Sequence, residues 1–127
     1  MRSQESMSFK TLLAYQKGFE QAMLCFELSK SFPPEEKFDL TSQIRRSSRS
    51  VCAQIAEEYR KKNYPKFFVS KLVDADSENS ETSLWLDFAE ACAYLSSEQL
   101  KRVVNLNEEV GRLIKYMIDN PSKFGVR

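Results

Sequence analysis

Hydrophobic residues recur along most of this chain at the three- and four-residue spacing of amphipathic helices. In the first such segment, one face is formed by Leu12, Gln16, Phe19, Met23 and Phe26. This pattern predicts a helix over residues 12–30 that is apolar on that face except at the glutamine. The two successive prolines of "SFPPEEKF" cannot continue the helix, so we expect it to end before them.

The second helix is predicted from Leu40 to about Lys62, with Asp39 or Thr41 as the candidate N-cap. At roughly 100° per residue, its apolar residues fall within an arc of roughly 60°; they are Leu40, Ile44, Val51 and Ile55. Its arginines fall within a second arc of about 100°, nearly opposite the first. The helix is therefore amphipathic, with an arginine-rich face.

The third helix is predicted from Pro65 to Leu95, although "DADSENSETS" (residues 74–83) has Ala75 as its only apolar residue. Since neither Gly nor Pro interrupts that region, we expect the helix to continue through it. "SSEQ" (residues 96–99) is typical of a capping box and opens a fourth helix that ends before Pro121. Four helices with short connections predict an all-α domain over residues 1–127, an antiparallel up-and-down four-helix bundle. We expect loose ends at about residues 1–8 and 122–127.

Composition narrows the classes of function. The chain contains no histidine, which removes the commonest general base and metal ligand, and it has no glycine-rich phosphate loop. Its adjacent carboxylates, such as Glu108 and Glu109, diverge on a helix. We therefore predict no catalytic residue, cofactor or metal. The three cysteines lack CxxC spacing and no segment is long and apolar enough to span a membrane, so we expect a cytoplasmic protein with reduced thiols.

A net charge of +1 conceals two oppositely charged blocks. Residues 45–71 carry eight basic and two acidic side chains, a net charge of +6, and residues 72–100 carry seven acidic side chains and no Lys or Arg, a net charge of −7. The basic block interleaves cations with aromatic residues in "YRKKNYPKFF", a pattern compatible with binding RNA or single-stranded nucleic acid. The predicted nucleic-acid contacts are Arg45, Arg46, Arg49, Arg60, Lys61, Lys62 and Lys66.

Two other interpretations of the arginine face remain open. It is the solvated face of an amphipathic helix, or Arg45 and Arg49 pair with acids such as Asp76 and Asp87 of a neighbouring helix or subunit. The small residues around the arginines, such as Ser47, fit more than one of these interpretations. They leave the guanidinium groups unobstructed, or they let a second helix approach closely.

The end of the third helix, "LWLDFAEACAYL" (residues 84–95), is apolar almost all round. A helix that is apolar on two sides is expected to be buried on two sides, and a chain of 127 residues has few residues with which to cover both. Taking Val73, Leu84 and Ala91 as one side, we predict a subunit interface on the other, formed by Phe67, Trp85, Phe88, Ala89 and Cys92. Alternatively, the chain's own termini cover Trp85. For Cys92 taken alone, the simplest interpretation is a small, buried hydrophobic residue.

Three segments in this order, "FPPEEKFDLTSQIRRSSRSVCAQIAEEYRKKNYPKFF", "SETSLWLDFAEACAYLS" and "EEVGRLIKYMIDNP", resemble the four-helix-bundle proteins encoded by intervening sequences in bacterial 23S rRNA genes. The resemblance covers roughly residues 9–124. It implies a four-helix bundle and, by similarity to the accessory protein of diversity-generating retroelements, a homopentamer that binds nucleic acid through basic surface at Arg45, Arg46 and Arg49. The family often has a small residue where this chain has Glu58, which would put an acid beside the patch.

The sequence thus predicts a non-enzymatic homo-oligomer that binds RNA or DNA backbone through a basic helix face. The alternative is a protein-interaction scaffold that binds an acidic protein partner and no nucleic acid. A third interpretation assigns the arginines to ion pairs between helices or subunits.

Overall fold

The computed structural model describes residues 9–61 and 63–125, and this part of the chain folds into four α-helices with no strand. The helices are α1 (Leu13–Ser29), α2 (Leu40–Arg60), α3 (Pro65–Ala91) and α4 (Ser97–Asp119). Short 3₁₀ turns cover Phe9–Thr11, Pro34–Glu36 and Pro121–Phe124. All four predicted helices are confirmed, and α3 runs without a break through the polar residues 74–83.

Each helix packs against its neighbours in the chain, and α4 closes the bundle by packing against α1. The connections between successive helices are short, so neighbours run antiparallel. This arrangement confirms the predicted up-and-down four-helix bundle. The most extensive packing is between α2 and α3, the two helices that carry the basic and acidic blocks.

The core consists of two apolar clusters, one toward each end of the bundle. The first combines the C-terminal half of α2 with the N-terminal half of α3 and includes Ile55, Phe68 and Ile114. The second combines the opposite halves and includes Ile44 and Leu86. Every one of these five side chains is almost completely buried.

A layer of buried polar side chains lies between the two clusters. Asn107 Nδ2 donates to Gln21 Oε1 at 2.8 Å, and Gln21 Nε2 donates to Asn79 Oδ1 at 3.0 Å. Next to them, the hydroxyls of Ser47 and Thr82 are 2.8 Å apart. Asn79 and Thr82 belong to the polar stretch that interrupts the apolar pattern of α3. That stretch is helical because its inward residues form hydrogen bonds across the core, and a buried polar layer of this kind fixes the register of neighbouring helices.

Two helix starts differ in how their free N–H groups are satisfied. At α4 the predicted capping box is confirmed: Gln99 N donates to Ser96 Oγ at 3.1 Å, and Ser96 N donates to Gln99 Oε1 at 2.9 Å. At α2, Asp39 occupies the N-cap position but its side chain caps nothing. Leu40 N donates instead to Glu36 Oε1 at 3.2 Å, so a residue four positions earlier does the capping.

Helix α3 ends at Ala91, four residues before the predicted end, in a Schellman motif. Tyr94 N donates to Ala89 O and Ala93 N donates to Glu90 O, both at 2.9 Å. Ala93 is left-handed, with φ of 60°, a conformation that this motif normally assigns to glycine. Because alanine is a strong helix former, its residue type does not mark this turn.

The faces that α1 and α3 present to the core differ from those expected. The core side of α1 is formed by small residues together with Gln21, whereas Phe19 and Met23 from the predicted stripe are about half exposed. Val73 and Leu84 of α3, grouped with Ala91 as the side opposite the predicted interface, likewise lie outward at 47% exposure. The small core residues of α1 allow close packing, and large apolar side chains are left on the outer surface of both helices.

The C-terminal segment differs in part from the loose end that was predicted. After α4, Pro121–Phe124 form a 3₁₀ turn, and the Phe124 ring meets the Tyr116 ring edge-on at 6.2 Å between centroids. Phe124 also packs against the first apolar cluster. Residues 1–8, predicted to be loose, and 126–127 lie outside the described residues.

Candidate nucleic-acid interface

The predicted arginines lie along the outward face of α2, in two groups. Arg45, Arg46 and Arg49 occupy its first half, and Arg60 its last turn. At 1.5 Å per residue, Arg49 and Arg60 are about 16 Å apart along the helix. The surface between them combines the small residues Ala53 and Ala56 with Glu57, whose carboxylate pairs with Lys71 of α3 at 3.4 Å.

Arg45 and Arg49 are held over one aromatic ring of the neighbouring helix. Their guanidinium carbons lie 4.7 and 5.6 Å from the centroid of Phe26 in α1. Arg45 Nε also donates to Ser29 Oγ at 2.8 Å. Within the described residues neither arginine forms an ion pair, so the suggested pairing with Asp76 and Asp87 is absent there. Stacking on Phe26 orients both cations without neutralising them.

Arg46, one position along the helix, points to a different neighbour. It forms ion pairs with Glu78, at 3.3 Å, and with Glu81, both on α3. The Trp85 indole N–H donates to the same Glu81 carboxylate at 3.2 Å. The hydrogen bonds that Arg46 donates to Glu81 and Glu78 raise its pKa above the usual value. The predicted use of arginine in an inter-helix ion pair is therefore found at Arg46, which links α2 to α3.

The second group of cations surrounds the turn between α2 and α3. Arg60, Lys61 and Lys66 are all exposed, and Tyr64 between them is also exposed. The Lys61 ammonium lies 5.5 Å from the centroid of the Phe67 ring. Lys62, also predicted to contact nucleic acid, lies outside the described residues. This end of the bundle thus displays cations and aromatic rings together.

The serines among the arginines are part of the helix packing. Ser47 and Ser48 are fully buried, and the contact of Ser47 with Thr82 joins α2 to α3. Of the two roles considered for the small residues, close approach of a second helix is the one these two serines perform. Glu58 was expected to place an acid beside the arginines, but it is fully buried and contributes no acid to the surface.

The predicted subunit interface is partly exposed on this subunit. Phe88 is 51% exposed, its ring lies 5.9 Å from that of Trp85, and Cys92 is exposed at the end of the helix. These three residues line a groove of about 350 Å³ that also includes Phe38. The prediction that Ala89 belongs to this interface was wrong. Ala89 is fully buried in the second apolar cluster, because this position of α3 faces the core. Cys92 is likewise not the buried hydrophobe considered for it within the subunit.

Two further features of the described residues bear on function. No helix among them is long and apolar enough to cross a lipid bilayer. In the same residues, no three His, Cys, Asp or Glu side chains converge to hold a metal ion.

Residues 10–116 match the family model described as 23S rRNA-intervening sequence protein. The chain belongs to this family. A 1.70 Å crystal structure of a Bacteroides thetaiotaomicron protein, described as a protein of unknown function from the S23 ribosomal protein family, superposes on this member with a TM-score of 0.76. The two are 30% identical, and the match covers 84% of this chain and 96% of the other. No curated protein matches this chain significantly.

The family assignment confirms the resemblance seen in the sequence and agrees with the helical bundle. The description of the family names the intervening sequence of 23S rRNA, and that of the solved relative gives no activity. For this family member, function has to be argued from its own surface.

Proposed function

We propose that this member of the 23S rRNA-intervening sequence protein family is a non-enzymatic protein that binds the phosphate backbone of RNA or DNA through the outward face of α2. The observation that carries the proposal is the pair Arg45 and Arg49. Both are held in place over Phe26, and neither is used in an ion pair in the described part of the chain. Arginine is the side chain best suited to bidentate phosphate contacts.

The second group of cations extends the proposed surface. Arg60, Lys61 and Lys66 would engage phosphates beyond the stretch between Arg49 and Arg60, so that five cations contact one nucleic acid. For duplex DNA the logarithm of the binding constant would then fall with the logarithm of salt with a slope of about −4.5. Raising the salt from about 50 to 200 mM would weaken binding by about 500-fold.

A gel-shift or fluorescence-anisotropy titration across a salt series tests this proposal. Arg45→Ala/Arg49→Ala should lower affinity and make the salt slope shallower by about 2, since two phosphate contacts are lost. The matched control is Lys101→Ala/Arg102→Ala, which removes the same charge from exposed positions on α4 and should leave affinity almost unchanged. Binding that is insensitive to salt, or equal losses in both double variants, would contradict the proposal.

Arg46 provides a second, internal control. Because its charge is already neutralised by Glu78 and Glu81, Arg46→Ala should lower affinity less than Arg45→Ala does. A larger loss in Arg46→Ala would contradict this expectation, and would mean either that the ion pairs open when nucleic acid binds or that the unpaired Glu78 and Glu81 repel the phosphates.

We further propose that subunits assemble through the apolar surface around Trp85, Phe88 and Cys92, with Phe67, about 27 Å away in the first turn of α3, as a separate contact. The exposure of Phe88 supports this, since a large apolar patch on a single subunit marks an interaction surface. The family resemblance implies five subunits, and the three free cysteines agree with a cytoplasmic location.

Light scattering tests the assembly. A mass near 14.8 kDa would rule it out. Phe88→Glu changes an exposed position and should dissociate the assembly without unfolding the subunit, and Trp85→Glu should dissociate it as well. Asn105→Glu, which adds the same charge at an exposed position of α4, should leave the mass unchanged.

The alternative is a scaffold that binds an acidic protein partner. One observation favours it: Arg46, on the same face of α2, already pairs with the carboxylates of Glu78 and Glu81. A partner protein that is retained after nuclease treatment, and released by Arg45→Ala/Arg49→Ala, would support the scaffold over the nucleic-acid interface.

A further inference from the structure

A basic groove of about 600 Å³ lies at the start of α2, and sequence patterns located only part of it. Its lining residues are Lys37, Phe38, Thr41, Ser42, Arg45, Arg46 and Arg49. The arginines belong to the candidate interface described above. Lys37 and Phe38 come from the loop before α2, where neither the helical pattern nor the charge block drew attention to them.

Phe38 is the most exposed large hydrophobic side chain in the described part of the chain, at 82%. It belongs to neither apolar cluster, so core packing does not account for a phenylalanine here. The Lys37 ammonium lies 5.4 Å from the centroid of its ring. A ring this exposed, with a cation over one face, has its other face open to a planar ligand.

The arginines that line the groove with this ring lie along α2. Arg45 and Arg49 stand on successive turns of α2 and are held over Phe26. From Ser42 to Arg49 the groove follows the helix for about 10 Å. An exposed aromatic ring followed by fixed guanidinium groups is the combination that single-stranded nucleic acids require: a platform for a base and cations for the adjoining phosphates.

We infer that this groove binds single-stranded nucleic acid, with an unpaired base stacked on Phe38 and the neighbouring phosphates on Arg45 and Arg49. The inference rests on the proposed backbone binding and specifies the strand state of the ligand. In a duplex the base faces are covered by their neighbours, so the Phe38 ring adds affinity only when a base is free to leave the stack.

The test compares one fluorescently labelled oligonucleotide as a single strand and annealed to its complement. The wild-type protein should bind the single strand more tightly than the duplex at the same salt concentration. Phe38→Ala should weaken single-strand binding by between about 5-fold and about 150-fold, the range for loss of one base–aromatic stack. Duplex affinity and the salt slope should stay unchanged, because no phosphate contact is removed. Phe38→Trp, which keeps an aromatic platform, should retain single-strand affinity.

Phe19→Ala is the matched control, since Phe19 is a half-exposed phenylalanine on α1 that lines a different groove. It should leave both affinities unchanged. Circular dichroism should show that Phe38→Ala keeps its helices, because the ring is almost fully exposed.

The other outcomes show whether the stacking inference fails alone or together with backbone binding. Equal binding of both oligonucleotides with no effect of Phe38→Ala would overturn the stacking inference and leave backbone binding intact. No binding of either oligonucleotide would overturn both. Phe38 also lines the groove around Trp85 and Phe88. A change in the mass of the assembly on Phe38→Ala, with single-strand affinity unchanged, would therefore assign the ring to a subunit contact and overturn the inference.

Discussion

Replacing the buried Asn107 with alanine should destabilise the bundle, chiefly because hydrogen bonds in the polar layer are lost. Asn107 Nδ2 donates to Gln21 Oε1 at 2.8 Å, to Asn79 O at 3.0 Å and to Asn79 Oδ1 at 3.2 Å. In Asn107→Ala, Asn79 Oδ1 keeps its hydrogen bond from Gln21, but Gln21 Oε1 loses the donor from Asn107 while it remains buried. A buried polar group left without a partner costs about 1–3 kcal/mol, and with the weakened contacts to Asn79 the total should be about 2–4 kcal/mol.

Urea unfolding followed by circular dichroism measures this loss at a fixed subunit concentration, since assembly would make stability depend on concentration. A loss of about 2–4 kcal/mol lowers the midpoint by roughly 1–2 M urea. Asn105→Ala is the control, because Asn105 lies on the same helix but is exposed, and surface substitutions change stability by about 0.5 kcal/mol or less. If Asn107→Ala and Asn105→Ala had the same midpoint, the polar layer would not contribute to stability as argued.

Three further predictions concern the turn after α3 and the buried thiols. Ala93→Gly should stabilise the protein by up to about 1 kcal/mol, seen as a higher melting temperature, because glycine adopts the left-handed conformation without the clash of a Cβ; an unchanged or lower melting temperature would refute this. Iodoacetamide should leave Cys25 and Cys52 unmodified in the native protein and label them after unfolding, since both are buried, and native labelling found by peptide mass spectrometry would contradict that burial. Burial raises the pKa of Cys25 to about 12 and that of Cys52 to about 11, from a usual value of about 9. As pH rises above about 9, these thiols therefore ionise in the unfolded chain before they do in the folded one, so the free energy of unfolding should fall between pH 9 and 11. The fall should be less steep in Cys25→Ala/Cys52→Ala than in the wild type. Equal slopes in the two proteins would refute the assignment.

The helices of this protein could be predicted because their signals are local. Spacing of apolar residues, the proline pair before α2 and the capping box at Ser96 depend on neighbours within a few positions. The end of α3 was missed because Ala93 adopts a conformation that its residue type disfavours, and the motif that holds it there involves the packing of Tyr94 on the second apolar cluster. Local preference and the final structure disagree at that turn.

The candidate site could be predicted only as a face. Turning α2 at 3.6 residues per turn places Arg45, Arg46 and Arg49 away from the core, and the structure agrees. The helical projection of α2 does not reveal that Arg46 pairs with acids of α3, whereas Arg45 and Arg49 stack on Phe26 of α1. Those partners come from other helices, and their positions depend on how the bundle packs.

By itself, the sequence determined that this chain forms four helices, that α2 carries its cations on one side and that the end of α3 is apolar on two sides. Which side of α3 enters the core, the burial of Ala89 and the exposure of Phe38 were decided only by the tertiary structure. The physical reason is that helical periodicity reports the angle between residues of one helix. The energy of each face depends on what lies opposite, such as the polar layer of Gln21, Asn79 and Asn107, and that is settled only when the helices pack together.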